Sequence, residues 1–370
     1  MLTAINKYRE MILLPRLTLN EILSLRGQDF FCPECRGPLI IKAGEIKMPH
    51  FAHKSGTMCN VSHEPETFQH MKGKLHLFQH FSSFIPQVTL EHYLTEIQQR
   101  PDIYIQLNNR NFALEYQCSP ISSTAFAERT AGYQNAGIEP VWISGEKVKT
   151  KGPGTIVLSN FQQNFIRFSP HAGYWFAFFD GLSQKMNLYF NLSPLSTTIF
   201  TSTIQSLPLA SIPFPFLLPL KEFNSNQAQR FLESKKTWII NKQKYNRGVN
   251  DPFLTSLYLN RDHIQKLPDF IGLATEHMLL FKNHPIEWQY YIWGDVFKKK
   301  EEGSTVILEE IKKNMDMRVE KGFIRYRNMP LIKEDLRLQA IEEYLLVLEK
   351  RDIIKKVRGD EYLLLHAHIK

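Results

Sequence analysis

The sequence predicts a mixed α/β protein of two or three domains. Three observations predict it. With 370 residues the chain is too long for one ordinary core. Apolar residues make up 43% and charged residues 22%, the balance of a folded soluble protein. Between residues 65 and 144, segments with period-two apolar patterning alternate with helical ones, ahead of a mainly helical remainder.

The elements follow in order. Residues 1–63 form the first expected module, with a short helix near Leu19–Leu25. A Cys-, His-, Gly- and Pro-rich stretch (30–63) of little periodicity follows. Pro65–Phe81 reads as a helix, since Pro suits the first helical position. Strands are predicted near Val88–His92 and across Arg100–Ser119. A second helix over Ser122–Asn135 is capped by the Ser/Thr cluster 122–124, and Glu139–Ser144 reads as a buried strand. These elements make up the second expected domain, 64–150, which ends at the Gly/Pro-rich Lys151–Thr155. In the third region, 151–370, Tyr174–Leu192 patterns as a hairpin around Asp180–Gly181. Beyond Phe223 the pattern is mainly helical. No internal repeat or low-complexity tract interrupts this order.

Charge and cysteine bound the setting. The formal net charge is +8: residues 1–150 hold 15 basic against 14 acidic groups, and residues 151–370 hold 30 against 23. Such a balance allows an acidic polymer as partner without requiring one. Four cysteines, at 32, 35, 59 and 118, are too few for a disulfide scaffold of this size, so a reducing cytoplasm is expected. Met1–Arg16 lacks the apolar run of a secretory signal. The most apolar stretch, Ser211–Leu220, carries three prolines and is about half the length that spans a bilayer. No membrane insertion is expected.

The clearest chemical motif is "CPEC". Cys32 and Cys35, two residues apart, can bring two thiolates to one tetrahedral ion. "HFAH" adds His50 and His53, with Cys59 and His63 beyond; this is a zinc spacing. The expected ligands are Cys32, Cys35 and His53, with His50 and Cys59 competing for the fourth place. A redox Cys-x2-Cys needs a βαβ setting that this stretch lacks. A filled Cys/His tetrahedron leaves no open position, so this Zn²⁺ is expected to be structural.

The second motif is "RPDIYIQLNNRNFALEYQCS". Strand alternation puts Asp102, Tyr104 and Gln106 on one side of its first half, and Ala113, Glu115 and Gln117 on one side of its second. A two- or four-residue loop around Asn109–Arg110, with Leu107 opposite Phe112, sets Asp102 opposite Gln117. Cross-strand neighbours lie about 5 Å apart and diagonal ones about 7–8 Å, so one divalent cation can touch Asp102 and Glu115. A half-exposed hairpin has the same pattern. Against it stand Pro101, which fixes the backbone before Asp102, and the aromatic second strand, where an acid is costly unless it binds something.

Upstream, Glu66, His70 and Lys74 recur every four residues on one side of the predicted helix, whose apolar stripe is Phe68, Met71, Leu75 and Phe78. Carboxylate oxygens suit Mg²⁺ or Mn²⁺. Such an ion acidifies a bound water and neutralises charge building on a phosphate, which is what phosphodiester hydrolysis needs.

Together, Cys-x2-Cys with "HFAH", Glu-x3-His-x3-Lys, "RPD", "EYQCS" and "ERTAGY" resemble the competence protein CoiA family, most closely over residues 1–145. That resemblance implies a restriction-endonuclease-like domain of the PD-(D/E)xK type. By position, Asp102 is the motif aspartate, Glu115 the motif glutamate and Glu66 the acid on the first core helix. Gln117 stands where lysine is usual, so His70 or Lys74 is expected to supply the proton chemistry. Arg129 and Tyr133, four apart on a helix, are expected to face DNA. The implied role is a metal-dependent deoxyribonuclease-like factor of natural transformation. It would act on incoming, single-stranded DNA in the cytoplasm, beside recombination proteins. The alternatives are a non-catalytic adaptor on a degenerate nuclease fold and, less favoured, a redox or metal-sensing regulator.

At the C-terminal end, Asp335–Lys350 reads as a helix followed by two strands around Arg358–Gly359–Asp360. A helix before a basic hairpin resembles a winged helix over residues 283–370, with Lys355, Lys356 and Arg358 in the wing and available to DNA.

Overall fold

The structure is a computed structural model and describes residues 1–44, 48–57, 67–222, 224–245, 250–332 and 336–366. The expected mixed α/β class is what it shows, with elements in the following order. Strands β1 (Thr3–Asn6) and β2 (Met11–Leu13) precede helix α1 (Leu19–Ser24), which a Thr18/Glu21 capping box starts. Strands β3 (Phe30–Phe31), β4 (Pro38–Lys42) and β5 (His50–His53) lead to helix α2 (Phe68–Ser82). Then come β6 (Gln87–Leu90), β7 (Ile103–Leu107), β8 (Arg110–Gln117), α3 (Ser123–Asn135) and β9 (Ile138–Ser144). Further on lie β10 (Lys149–Thr150), β11 (Thr155–Val157), α4 (Asn160–Gln163), β12 (Arg167–Ser169), β13 (Gly173–Asp180), β14 (Lys185–Pro194) and β15 (Ile199–Pro208). The helical part holds α5 (Ser225–Lys244), α6 (Pro252–Leu259) and α7 (Pro285–Ile292). The chain closes with β16 (Thr305–Ile307), α8 (Leu308–Glu320), α9 (Leu336–Glu349), β17 (Ile354–Arg358) and β18 (Glu361–Leu364). No helix of the described residues is long and apolar enough to cross a membrane.

The chain divides into two compact units. The first contains residues 1–148, 176–189 and 204–219; the second contains 149–175, 190–203 and 220–370. In the first unit, β2-β1-β3-β4-β5 form a small sheet around a core of Ala4, Leu14, Ile22, Phe30, Cys32, Leu39 and Phe51. The main sheet of this unit runs β6-β7-β8-β9, with Phe178 of β13 parallel to Ser144 of β9. Strands β8 and β9 are parallel, and α3 makes the crossover between them, as parallel strands require. Ser122 caps α3 by accepting from the Ala125 N–H. In the second unit, β11 pairs with both β10 and β15, β12 pairs with β13, and β18 lies between β16 and β17.

The central strand explains the site. β8 is flanked on both edges, and Phe112 through Tyr116 are all buried. On one side α2 comes close: a Cβ on Gly73 would stand 2.2 Å from the Tyr116 ring. On the other, α3 packs on β9, where Phe126 stacks on Trp142 at 3.9 Å and Thr130 Oγ1 accepts from the indole N–H.

Two details differ from the sequence reading. The β7–β8 turn is two residues long, Asn108 and Asn109, both with positive φ (51° and 58°), which asparagine tolerates and type I′ turns need. Leu107 therefore pairs with Arg110, not Phe112, and the register shifts by two. Ile103 faces Leu114, so one step further Asp102 comes opposite Glu115 rather than Gln117. The second difference is the buried face of α2. Phe68 is 52% exposed, while Lys74 is fully buried beside Met71, Leu77, Phe78 and Phe81. Packing against Tyr116 at Gly73 rotates the helix, and the face expected to be polar turns inward.

Candidate active site

A cleft of about 830 Å³ opens in the first unit, lined by Asp102, Glu115, Gln117, His70, Arg129 and His50 among others. Asp102 lies just before β7 and Glu115 on the neighbouring β8, and different helices hold them. Asp102 is held from α2. Its Oδ2 accepts from His70 Nε2 at 3.1 Å and from the Tyr116 N–H at 2.9 Å, and Lys74 Nζ lies 3.4 Å from Oδ1. Burial pushes this carboxyl up. The His70 and Lys74 charges and the two hydrogen bonds outweigh burial and hold it well below the usual carboxylate range.

Glu115 is held from α3. Its Oε1 accepts from Arg129 Nε at 2.7 Å and from the Tyr133 hydroxyl. Burial dominates and raises the Glu115 carboxyl; Arg129 and the Tyr133 hydrogen bond offset part of this, and the Asp102 charge adds to it. One acid is thus driven toward the anion and its neighbour toward the acid. Environments that push paired carboxyl groups apart in this way occur at catalytic sites.

The other expected residues fall as follows. Gln117 lines the cleft, and its amide Nε2 donates to the Ser119 carbonyl at 2.9 Å. Lys74 is not positioned to reach a substrate: it is buried between Glu91 (2.6 Å) and Asp102 (3.4 Å). Tyr133 was expected to face DNA. It is fully buried, because its hydroxyl turns inward to Glu115, and this corrects the sequence reading. Arg129 keeps a partly exposed side chain, 35%, while it holds Glu115. Glu66 lies outside the described residues, as do Cys59 and His63.

The sequence reading missed Glu91, Glu34 and Arg100. Glu91 accepts from the Leu2 and Thr3 N–H groups and from Lys74, and so ties β1 to the site. Nothing in its local sequence marks it. Glu34 and Arg100 form an ion pair of 2.8 Å. An acid inside the Cys-x2-Cys and an arginine next to Pro101 were the available signals.

The knuckle itself is well formed. Cys32 N–H donates to Gly37 O and Arg36 N–H to Cys32 O, which folds the thiols back together. Cys35 Sγ is 3.3 Å from His53 Nε2. Ligand atoms of Cys32, Cys35 and His53 lie within 4.8 Å of one another, the one such set of three or more His, Cys, Asp or Glu among the described residues. Two thiolates and an imidazole fit a tetrahedral metal ion, so the residues suit a metal. His50 does not join them. Three residues from His53 on β5, it points to the other face of the strand, bonds to the Met48 carbonyl and lines the acidic cleft. In the second unit, Lys355, Lys356 and Arg358 are exposed along β17, an outer strand of its sheet.

A parallel-crossover sheet carries an acid pair in a cleft, next to a Cys/His knuckle, which is the arrangement expected of a nuclease-like protein. Comparison with known proteins makes this specific. Residues 66–222 match the model of "Competence protein CoiA, nuclease-like domain", residues 14–62 that of its N-terminal domain and residues 227–369 that of its C-terminal domain. The chain belongs to the competence protein CoiA family. Competence protein CoiA of Bacillus subtilis (strain 168) is 25% identical over 345 residues, spanning 92% of this chain and 91% of the relative. No solved structure matches the chain.

Proposed function

We propose that this protein is a Mg²⁺- or Mn²⁺-dependent deoxyribonuclease that trims incoming single-stranded DNA in the cytoplasm and so promotes its recombination. The observation that carries this reading is the placement of Asp102, just before β7, and Glu115, on β8, in one cleft. Asp102 and Glu115, with Glu66, would hold the ion, since hard oxygens suit it. When bound, the ion supplies an acidified water and charge neutralisation at a phosphate. The protein's own groups do the rest. His70 keeps Asp102 ionised and aimed, and Arg129 with Tyr133 fixes Glu115. Gln117 borders the cleft and orients water or a phosphate oxygen through its amide. Zn²⁺ in the Cys32–Cys35–His53 knuckle, completed by a further ligand such as Cys59, is structural. Residues 1–63, 64–150 and 151–370 serve as knuckle module, catalytic domain and accessory region. The last of these ends in a winged helix whose exposed Lys355, Lys356 and Arg358 contact DNA or recombination proteins. The placing of β18 between β16, which precedes α8 and α9, and β17, which follows them, supports that ending.

One observation favours a second reading, a non-catalytic DNA-binding adaptor. Gln117 is neutral, and its amide is engaged by Ser119. Gln117 variants separate the two. For an enzyme, Gln117→Ala lowers the cleavage rate by about tenfold, or about 1.4 kcal/mol, and Gln117→Lys preserves or raises it. For an adaptor, wild type and Gln117→Lys are both inactive, while Asp102→Ala keeps or tightens DNA binding because it removes a negative charge near phosphates.

A further inference from the structure

The acidic cleft and the cysteine knuckle are joined inside the first unit by a continuous set of contacts. Glu34 sits between Cys32 and Cys35. Its side chain is 1% exposed and lies 2.8 Å from Arg100 Nε, whose side chain is 9% exposed. A metal knuckle needs thiolates and imidazoles, not a buried ion pair to another segment. Arg100 is also where the chain enters the acidic hairpin. Two residues on is Asp102, and Pro101 between them has a fixed φ that limits play. The Arg100 carbonyl in turn accepts from Arg129 Nη2 at 2.6 Å, and the same guanidinium holds Glu115 at 2.7 Å. Both acids are therefore placed with reference to Arg100, and Arg100 is placed by Glu34.

We propose that Glu34 and Arg100 are positioning residues through which the metal-loaded Cys32–Cys35–His53 knuckle sets the geometry of the Asp102/Glu115 site. This rests on the metal-site reading above and adds regulation to it. Metal binding and folding are coupled in short Cys/His modules. Without an ion no coordination bonds tie the two cysteines and the histidine to one another, and the loop that carries Glu34 loosens. Loss of the Glu34 carboxylate weakens the hold on a buried guanidinium, and Arg100 then reorients. That movement shifts the backbone before Asp102 and the carbonyl that anchors Arg129. A protein without knuckle metal therefore has a misplaced acid pair, and zinc supply licenses the site.

The test uses zinc-loaded full-length wild type, Glu34→Gln, Arg100→Gln and Arg100→Lys. Mn²⁺ binding is followed by the electron paramagnetic resonance signal of free Mn²⁺. Hydrogen–deuterium exchange is read over residues 98–104 and 112–118, without Mn²⁺, before and after removal of knuckle zinc. Expected is retention of one zinc by Glu34→Gln and Arg100→Gln, since neither residue is a ligand. Their Mn²⁺ affinity falls by about tenfold, the lower end of what losing an outer-shell partner costs. Exchange rises over both segments, zinc removal from wild type reproduces that rise, and Arg100→Lys recovers part of the affinity. Wild-type Mn²⁺ affinity together with wild-type exchange in both charge-removing variants overturns the proposal. Should Glu34→Gln lose zinc or its circular dichroism spectrum, the two Arg100 variants, outside the knuckle, decide. If wild type shows no Mn²⁺ binding that Asp102→Ala removes, the acidic-site reading fails separately. The exchange comparison then decides the coupling alone.

Discussion

The Lys74 ammonium lies 2.6 Å from the Glu91 carboxylate, and neither side chain is more than 1% exposed. This pair stands behind the acidic cleft: the same lysine faces Asp102, and the same glutamate collects the Leu2 and Thr3 N–H groups. Removing one partner of such a pair strands a buried charge. Lys74→Met should therefore destabilise the protein by about 3–5 kcal/mol in chemical denaturation. A loss under about 1 kcal/mol would show that water reaches Glu91 and that Lys74 is dispensable.

Gly73 and Gly181 both close on Tyr116, whose hydroxyl donates to the Phe179 carbonyl. In an open helix, Gly73→Ala would stabilise by about 1 kcal/mol. Here the added methyl meets the ring at 2.2 Å. Overpacking should win, with a net loss of about 1–3 kcal/mol. Tyr116→Phe should cost about 0.5–1.5 kcal/mol for each hydrogen bond the hydroxyl gives up, those to Phe179, Cys118 and the Gly181 backbone. A stabilised Gly73→Ala protein would contradict the close approach of α2 to β8.

Purified without chelator, the protein should contain one zinc per chain by elemental analysis. Cys32→Ser should lose the metal and unfold the N-terminal module first, since folding and metal binding are coupled there. Cys118→Ser, which lies outside the three-ligand cluster, should keep its zinc. A metal-free wild type would remove the structural-zinc account.

Acid titration has a defined sign. The Asp102 carboxyl is depressed in the folded state, so its ionised form stabilises the fold above the unfolded value of about 4. That stabilisation is lost as pH falls from there toward the lower folded value. The stability gap between wild type and Asp102→Asn should narrow below about pH 4. Glu115 runs the other way. Its raised carboxyl favours the fold when protonated, and that contribution disappears as pH rises through the folded value. Cation binding at the cleft should strengthen over the same rise. A gap that widens in acid would mean that Asp102 is not held as the anion.

The sequence made the local features readable and left the long-range ones hidden. The strand around Glu139–Ser144, the helix over Ser122–Asn135 and the hairpin at Asp180 carry their own period or cap. Cys32, Cys35 and His53 were legible from ligand spacing, and Asp102 with Glu115 from alternation. The failures are tertiary. Two consecutive positive-φ asparagines shortened a turn and moved the register by two residues. Close approach at Gly73 rotated α2 and buried Lys74. Tyr133 looked like a surface residue until a carboxylate gave its hydroxyl a partner. Glu91, Glu34 and Arg100 act across 17 to 89 residues of sequence, a range that periodicity cannot sense.

The most direct measurement is cleavage of labelled single- and double-stranded DNA by zinc-loaded wild type with Mg²⁺ or Mn²⁺, beside Asp102→Ala and Glu115→Ala. The expected result is metal-dependent cleavage by wild type, stronger on single strands. Both variants should lose it while keeping their zinc and their circular dichroism spectra. Cleavage by both variants at the wild-type rate, or no cleavage by wild type with either metal, would contradict the account.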